Sequence, residues 1–318
     1  MVNENENKLL FKLFFFITLL LFLYNLNIFY KKGKVFPKKG KIKFLKICLC
    51  TLGKKENLYI KEFIEHYKNI GVDKIFLYDN NDIEGERFEE VIPDYINNGF
   101  IELINFRGIP KAIYKVMNNC YKNNYNKFDW LIFYEIDEFI YLKNYTSIKS
   151  FLGQKKFDKC KKIHLNWLHR SDNNLIYYDN RSLAKRFVEK GENVKKKINY
   201  LALIKTIIRG HIENITITDI HKLSLKIKGC DGFGRKAKIK GNRNIKPDYN
   251  YYYINHYYSK STEEFYEKLK RGDMQFGNST NNYYYQIKKY FSINKITNEK
   301  IDYLEKMLRI NLKEYKKK

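Results

Sequence analysis

Residues 130–140 read WLIFYEIDEFI, an apolar run from Trp130 to Tyr134 with Glu135, Asp137 and Glu138 set into its end. A short stretch so rich in aromatic and branched side chains reads as a buried strand. Carboxylates buried beside it cost several kcal/mol per charge unless cations or a metal ion compensate. If the strand continues through the cluster, Glu135 and Asp137 share one face, while Ile136 and Glu138 take the other. Two carboxylates on one face at a strand end form a hard-oxygen site for Mg2+ or Mn2+, and such an ion can bridge to a diphosphate. An ion-paired strand end is the structural alternative.

Upstream, IKFLKICLCTL (42–52) reads as a first buried strand, broken at Gly53-Lys54-Lys55. Asn57 to Ile70 places Leu58, Ile60, Phe63, Ile64 and Tyr67 on a helical period, with Gly71 as the C-cap signal. A strand KIFLYDN from Lys74 follows, then a helix over 86–97 stopped by Asn98-Gly99, a strand FIELINF (100–106) and a helix over 112–123. Downstream, strands are expected near IHLNWL (163–168), LALIKTII (201–208), ITITDI (215–220) and YYYINHYY (251–258), with helices over 261–271 and 298–313. Strands alternating with helices predict an α/β fold, a mostly parallel sheet flanked by helices with its cleft at the strands' C-terminal ends. Thr51, Asp79, Asn80 and the run Glu135 to Glu138 then share one rim.

The chain has 318 residues and a formal net charge of +26, from 61 Lys and Arg against 35 Asp and Glu. This excess is diffuse, and its densest runs (Lys31 to Lys43, Lys195 to Lys197, Lys316 to Lys318) fall in expected connectors and the C-terminus. A solvated basic surface is therefore expected, with no nucleic-acid partner. Cys48, Cys50, Cys120, Cys160 and Cys230 form an odd, scattered set without C-x-x-C or zinc-like spacing, and Cys48 and Cys50, alternating within an apolar strand, read as buried rather than redox or metal residues.

Residues 9–30, LLFKLFFFITLLLFLYNLNIFY, have the length and apolarity of a single-pass transmembrane signal anchor. Lys31, Lys32, Lys34, Lys38 and Lys39 after it favour a cytoplasmic catalytic domain by the positive-inside rule; a lumenal, Golgi-type orientation is the alternative. The expected organisation is a tail (1–8), an anchor (9–30), a basic connector (31–42), a catalytic domain (43–291), and a C-terminal helix with a basic tail (292–318).

Five stretches in one order carry a resemblance: LYIKEFIEHYKNIGVDKIFLYDNND (58–82), DWLIFYEIDEF (129–139), Asn166-Trp167, Arg186-Phe187 and INHYYSKSTEEFYEKLKRGD (254–273). Together they resemble glycosyltransferase family 92 over most of residues 44–290. The resemblance implies a GT-A fold and transfer, with inversion, from a nucleotide-sugar, a UDP-sugar, to a glycan or glycoconjugate acceptor. Asp79 would contact the uridine, and Glu135 with Asp137 would fill the metal motif, where the family usually has Asp at the Glu135 position. His221 and His256 are alternative third metal ligands.

Asp172, in the loop after the Asn166-Trp167 strand, is the candidate general base, with Asp137 also in the catalytic set. Thr51, Glu56, Asp79, Asn80, Lys205, Lys260 and Arg271 are the expected donor-binding residues, and Arg209 is a further basic position. The spacing Ser261-x-x-Glu264 predicts a capping box, at a helix N-terminus able to face an anion. Two other readings stand beside this one: a catalytically weakened sugar-binding or nucleotide-binding member, and a basic membrane-associated scaffold.

Overall fold

The computed structural model describes residues 44–195, 203–224, 227–244, 247–272 and 280–316. Strand β1 (Ile47–Gly53) is buried along its whole length. It lies between two parallel neighbours, β2 (Lys74–Asp79) and β4 (Trp130–Phe133). Its alternate residues feed two hydrophobic layers, Ile47 and Leu49 on one face and Cys48, Cys50 and Leu52 on the other. β3 (Ile101–Asn105) extends the parallel set beyond β2. Gly53 ends β1 where a Cβ would stand 2.5 Å from the Phe88 ring and 2.9 Å from Ile136, so the chain can leave the sheet there only without a side chain.

Helix α1 (Asn57–Asn69) buries Tyr59, Ile60, Phe63, Ile64 and Tyr67. It ends in a Schellman motif: the amides of Gly71 and Val72 donate to the carbonyls of Lys68 and Tyr67, with Gly71 at φ +90°. The region expected as a helix over 86–97 is shorter, a 3-10 turn at Phe88–Glu90 and α2 (Pro93–Asn97), because Pro93 starts a new helical turn. α3 (Ile113–Asn124) and α4 (Ile148–Leu152) flank the next two strands.

The sheet is mixed, in the order β3-β2-β1-β4-β7-β6-β11-β5, which corrects the mostly parallel expectation. β5 (Glu138–Leu142) lies at the far edge, antiparallel to β11 (Tyr252–His256). β6 (Lys162–His169) is parallel to β11 and antiparallel to β7 (Ile204–Arg209), which is itself antiparallel to β4. β8 (Cys230–Asp231) pairs with the start of β6, and β9 (Ile239–Lys240) with β10 (Arg243–Asn244) forms a separate ribbon. Only residues 134–137 join β4 to β5, although β7, β6 and β11 lie between them in the order. In a flat sheet the gap of about 19 Å would exceed the reach of an extended link, roughly 17 Å, so the sheet is curled and brings the start of β5 back toward the end of β4.

The expected strand ITITDI is irregular. The side-chain amide of Asn118 accepts from the Ile217 amide and donates to its carbonyl, at 2.8 and 2.9 Å, and so replaces a strand neighbour. The remaining helices are α5 (Leu183–Arg186), α6 (Glu192–Lys195), α7 (Thr262–Arg271), α8 (Thr280–Ile293), α9 (Asn298–Leu308) and α10 (Lys313–Lys316). α9 stops short of the expected 313 because Arg309 takes a left-handed conformation. Phe265, Leu269, Tyr290, Phe291, Ile301 and Leu304 pack α7, α8 and α9 into a third core cluster.

Cys48 and Cys50 are buried as expected, and the structure adds two disulfides: Cys50–Cys120 ties β1 to α3, and Cys160–Cys230 ties the segment before β6 to β8, while Cys48 stays free. The expected anchor, 9–30, and connector, 31–42, lie outside the described residues; among the described residues no helix is long and apolar enough to cross a membrane. The single-pass membrane placement is corrected on that finding.

Candidate active site

β4 stops at Phe133, Glu135 and Asp137 lie on the turn that follows, and Glu138 opens β5, so the strand does not continue through the cluster. The Glu138 amide donates to the Glu135 carbonyl at 3.0 Å, and the Glu135 amide donates to Glu138 Oε2 at 3.1 Å. The turn cancels the strict alternation of faces. Glu138 does not point away from the cluster but is wholly buried within it.

Strand register brings the partners. In neighbouring strands β6, β11 and β5, His169, His256 and Glu138 stand side by side. His256 Nε2 lies 3.5 Å from Asp137 Oδ1. Asp137, Glu138 and His256 each offer a ligand atom, all within 4.8 Å of one another, and all three residues are buried. Asp137 Oδ1, Glu138 Oε1 and both His256 ring nitrogens lack a hydrogen-bond partner. Buried polar atoms are normally satisfied. Two carboxylate oxygens and a neutral imidazole converging without hydrogen bonds, one of the oxygens only 3.3 Å from the Lys205 ammonium, fit a divalent cation of the Mn2+ or Mg2+ type.

Lys205, Lys268, Arg271 and Lys260 are among the cations around this set, with Lys289 over the Tyr258 ring on the His256 side. Lys205 Nζ, from β7, stands 2.6 Å from Glu135 Oε1 and 3.3 Å from Glu138 Oε1. Lys268 Nζ, from α7, stands 2.9 Å from Asp137 Oδ2 and lies over the Tyr258 ring. Arg271 is ion-paired with Glu56 and donates to the Lys54 carbonyl at 2.8 Å. Lys260 Nζ is 3.6 Å from Glu56 Oε2 and 4.0 Å from the centre of the Tyr59 ring. Its backbone is left-handed, φ +52°, a strained conformation for a lysine and one that clusters at working sites.

The electrostatics follow from burial and charge together. Burial opposes the charges on Glu135 and Asp137, yet Lys205 carries Glu135 down to about 2, and Lys268 with His256 holds Asp137 well below the carboxylate range. Glu138 goes the other way: burial and the two neighbouring carboxylates raise it well above that range, against Lys205. Burial lowers His256 to about 4, so its ring is neutral and able to ligate.

The other sequence candidates are placed as follows. Asp79, at the end of β2, is buried with Oδ2 2.6 Å from Arg107 Nη1, and its Oδ1 accepts from the Asn81 amide and side chain. Arg107 also donates to the carbonyls of Asp82, Ile83, Gly85 and Glu86, so this pair shapes the loop after β2. Asn80 donates to the carbonyls of Phe106 and Ile109, each at 2.8 Å. Thr51 Oγ1 is buried without a partner, in a recess that Glu135 and Lys205 also line. Arg209 donates to the carbonyls of Cys160 and Phe157 and covers the Trp130 ring, away from the carboxylates.

Two candidates do not join the cluster. His221 Nδ1 donates to the Ile204 carbonyl at 2.9 Å and its ring packs on Trp167, so of the two alternative histidines only His256 belongs to the converging set. Asp172, the candidate general base, is engaged by the C-terminal helices. Its Oδ2 accepts from Tyr290 at 2.7 Å and pairs with Lys300 Nζ at 2.6 Å, while Oδ1 accepts from the Asn174 amide. Both residues of the Asp172–Lys300 pair are buried, and the carboxylate clasps the C-terminal helices.

The sequence model of glycosyltransferase family 92 matches residues 43–301. The chain belongs to glycosyltransferase family 92. A family 92 protein of Ricinus communis is 27% identical over 97 residues, 30% of this chain and 17% of that protein. One of Oryza sativa subsp. japonica is 26% identical over 118 residues, 34% and 20%. The match thus spans about a fifth or less of the curated relatives' length. Among solved structures, S. aureus TarS 1–349 in complex with UDP-GlcNAc is similar with a TM-score of 0.39 at 14% identity, over 83% of this chain and 81% of that one. The same protein in complex with UDP gives 0.38 at 13%, over 85% and 77%. Likeness at that level carries neither positions nor ligands across.

Within this family 92 chain, the structure adds residues that the sequence reading passed over, Lys268 in the cluster, His169 beside His256, and Arg107 behind Asp79, and it turns Glu138 inward where the strand reading had it face away. Lys268 lies four residues after Glu264 on a helix whose cap was legible, and that spacing was the available signal. Arg107 had none, since its partners lie up to 28 residues away in sequence.

Proposed function

We propose that this chain transfers a sugar from a UDP-sugar to a glycan or glycoconjugate acceptor, through a GT-A-type domain over 43–291 followed by a C-terminal helix and basic tail (292–318). The observation that carries this reading is the convergence of Asp137, Glu138 and His256, with unpartnered buried atoms, inside a ring of lysines and an arginine. Those three residues would hold Mn2+ or Mg2+, which supplies charge neutralisation at a diphosphate leaving group. Lys260, Lys268 and Arg271 provide fixed positive charge where the diphosphate departs, and Lys268 exchanges Asp137 for a phosphate oxygen when donor enters. Thr51, Glu56, Asp79 and Asn80 line the nucleotide side of the rim, Asp79 acting with Arg107 to set the loop there. Lys205 holds Glu135 ionised beside the metal residues, where its longer side chain would add negative charge for an ion, directly or through water. Inversion at the anomeric carbon is carried over from the family.

Thermal-shift titration with UDP, GDP and CMP, each with and without Mn2+, tests the reading. UDP with Mn2+ is expected to raise Tm most; no stabilisation by any nucleotide would sink it.

A further inference from the structure

The Arg186-Phe187 pair has no part in the metal or donor contacts described above, yet Arg186 is buried at the centre of a closed polar network. Its Nη1 and Nη2 donate to Glu264 Oε2 and Oε1 at 2.7 and 3.0 Å, a two-point fork. Glu264 also accepts from the Ser261 amide at 2.9 Å and from Tyr59 Oη at 2.7 Å, and its own amide donates to Ser261 Oγ at 3.2 Å. The guanidinium is covered by the rings of Phe187 and Tyr178, at 4.7 and 5.2 Å. The helix that supplies Arg186, α5, is itself fastened to α1, because the Leu183 amide donates to Glu62 Oε2 at 2.8 Å.

Lys260, Lys268 and Arg271 all connect to this network. Glu264 is the N3 residue of α7 and closes its capping box, which fixes where α7 begins and how it is rotated. α7 delivers Lys268 to Asp137 and Arg271 to Glu56. Lys260 precedes the cap in a left-handed conformation and rests on the ring of Tyr59, whose hydroxyl is bonded to Glu264. A capping box alone would hold the start of a helix. A buried arginine fork on the N3 carboxylate adds orientation, at the desolvation cost of a second buried charge.

We propose that Arg186 is a positioning residue for donor binding: through Glu264 it sets Lys260, Lys268 and Arg271 at the spacing a diphosphate requires. This rests on the proposed UDP-sugar reading. Removing Arg186 alone would leave Glu264 buried and unpaired, so the informative variant is Arg186→Met with Glu264→Gln, which removes both charges and keeps a capping side chain. Arg186→Lys keeps the charge and loses the fork.

The test is calorimetric titration of UDP in the presence of Mn2+, with Mn2+ alone titrated in parallel, well below each variant's Tm. The double variant is expected to bind UDP about tenfold more weakly or worse, Arg186→Lys to fall between it and wild type, and Mn2+ alone to bind within about twofold of wild type. A folded double variant that binds UDP like wild type overturns the proposal, as does equal weakening of UDP and of Mn2+ alone. Wild-type protein that binds no UDP overturns the donor reading itself, which separates the two failures.

Discussion

Lys268 Nζ stands 2.9 Å from Asp137 Oδ2, joining α7 to the carboxylate turn across 131 residues of chain. The lysine supplies the charge that a buried aspartate needs when no divalent ion or diphosphate is present. Lys268→Met is therefore expected to lower metal-free stability by about 2 kcal/mol. It should also enlarge the Tm gain on adding Mn2+ and reduce UDP-sugar turnover by roughly a hundredfold. Thermal melts of both proteins with and without Mn2+ check this, and identical metal-free melts would contradict it.

Asp172 separates a structural from a catalytic carboxylate. Because Lys300 is fully buried against it, Asp172→Ala is expected to cost about 3–5 kcal/mol in stability. Turnover per folded molecule should stay within a few-fold. Denaturant melts with initial rates on the same samples decide between the two roles. A loss of a thousandfold in kcat with unchanged stability would return Asp172 to the role of base.

Acid should destabilise the fold before most carboxylates titrate. Burial lowers His66 to about 4, with its Nε2 3.1 Å from the Ile140 carbonyl, and burial with nearby Lys162 lowers His164 to about 3. In the unfolded chain both titrate near pH 6.5. Below that pH the unfolded state takes up protons that the folded state refuses, so stability is full above about 6.5 and falls by up to about 1.4 kcal/mol per pH unit for each histidine. The loss levels off at the folded values. A drop in Tm of roughly 5 °C or more is expected between pH 7.5 and 5, and His66→Phe should flatten it. Equal Tm at both ends would contradict the burial account.

The disulfides Cys50–Cys120 and Cys160–Cys230 each close a sequence separation of 70 residues. In the chain-entropy account a loop of that size contributes about 4 kcal/mol. Cys160→Ser with Cys230→Ser should lose stability of that order, and wild type under strong reductant should melt at a lower temperature. A melt indifferent to reductant would show the bonds contribute nothing.

The first half of the fold was legible because its signals are local: the apolar runs of β1 and β2, the spacing of Ile60, Phe63, Ile64 and Tyr67, and Gly71 at the helix end. The curl was not, because the antiparallel entry of β5 beside β11 is set by pairing between residues such as Glu138 and His256, 118 positions apart by number. The same distance hid part of the site. The carboxylates were conspicuous, but a turn closed by one backbone hydrogen bond, from Glu138 to Glu135, moved Glu138 from the outer face to the interior. Asp172 looked free in a loop, and only the arrival of Tyr290 and Lys300 from the C-terminal helices shows it occupied.

The central claim is that Asp137, with Glu138 and His256, holds the divalent ion that binds the donor's diphosphate. Calorimetric titration of UDP into wild type and Asp137→Ala, each with Mn2+ and with chelator, tests it most directly. The expected result is Mn2+-dependent binding by wild type, and binding at least tenfold weaker in Asp137→Ala whether or not Mn2+ is present. Equal UDP affinity in the two proteins, indifferent to Mn2+, would contradict the claim.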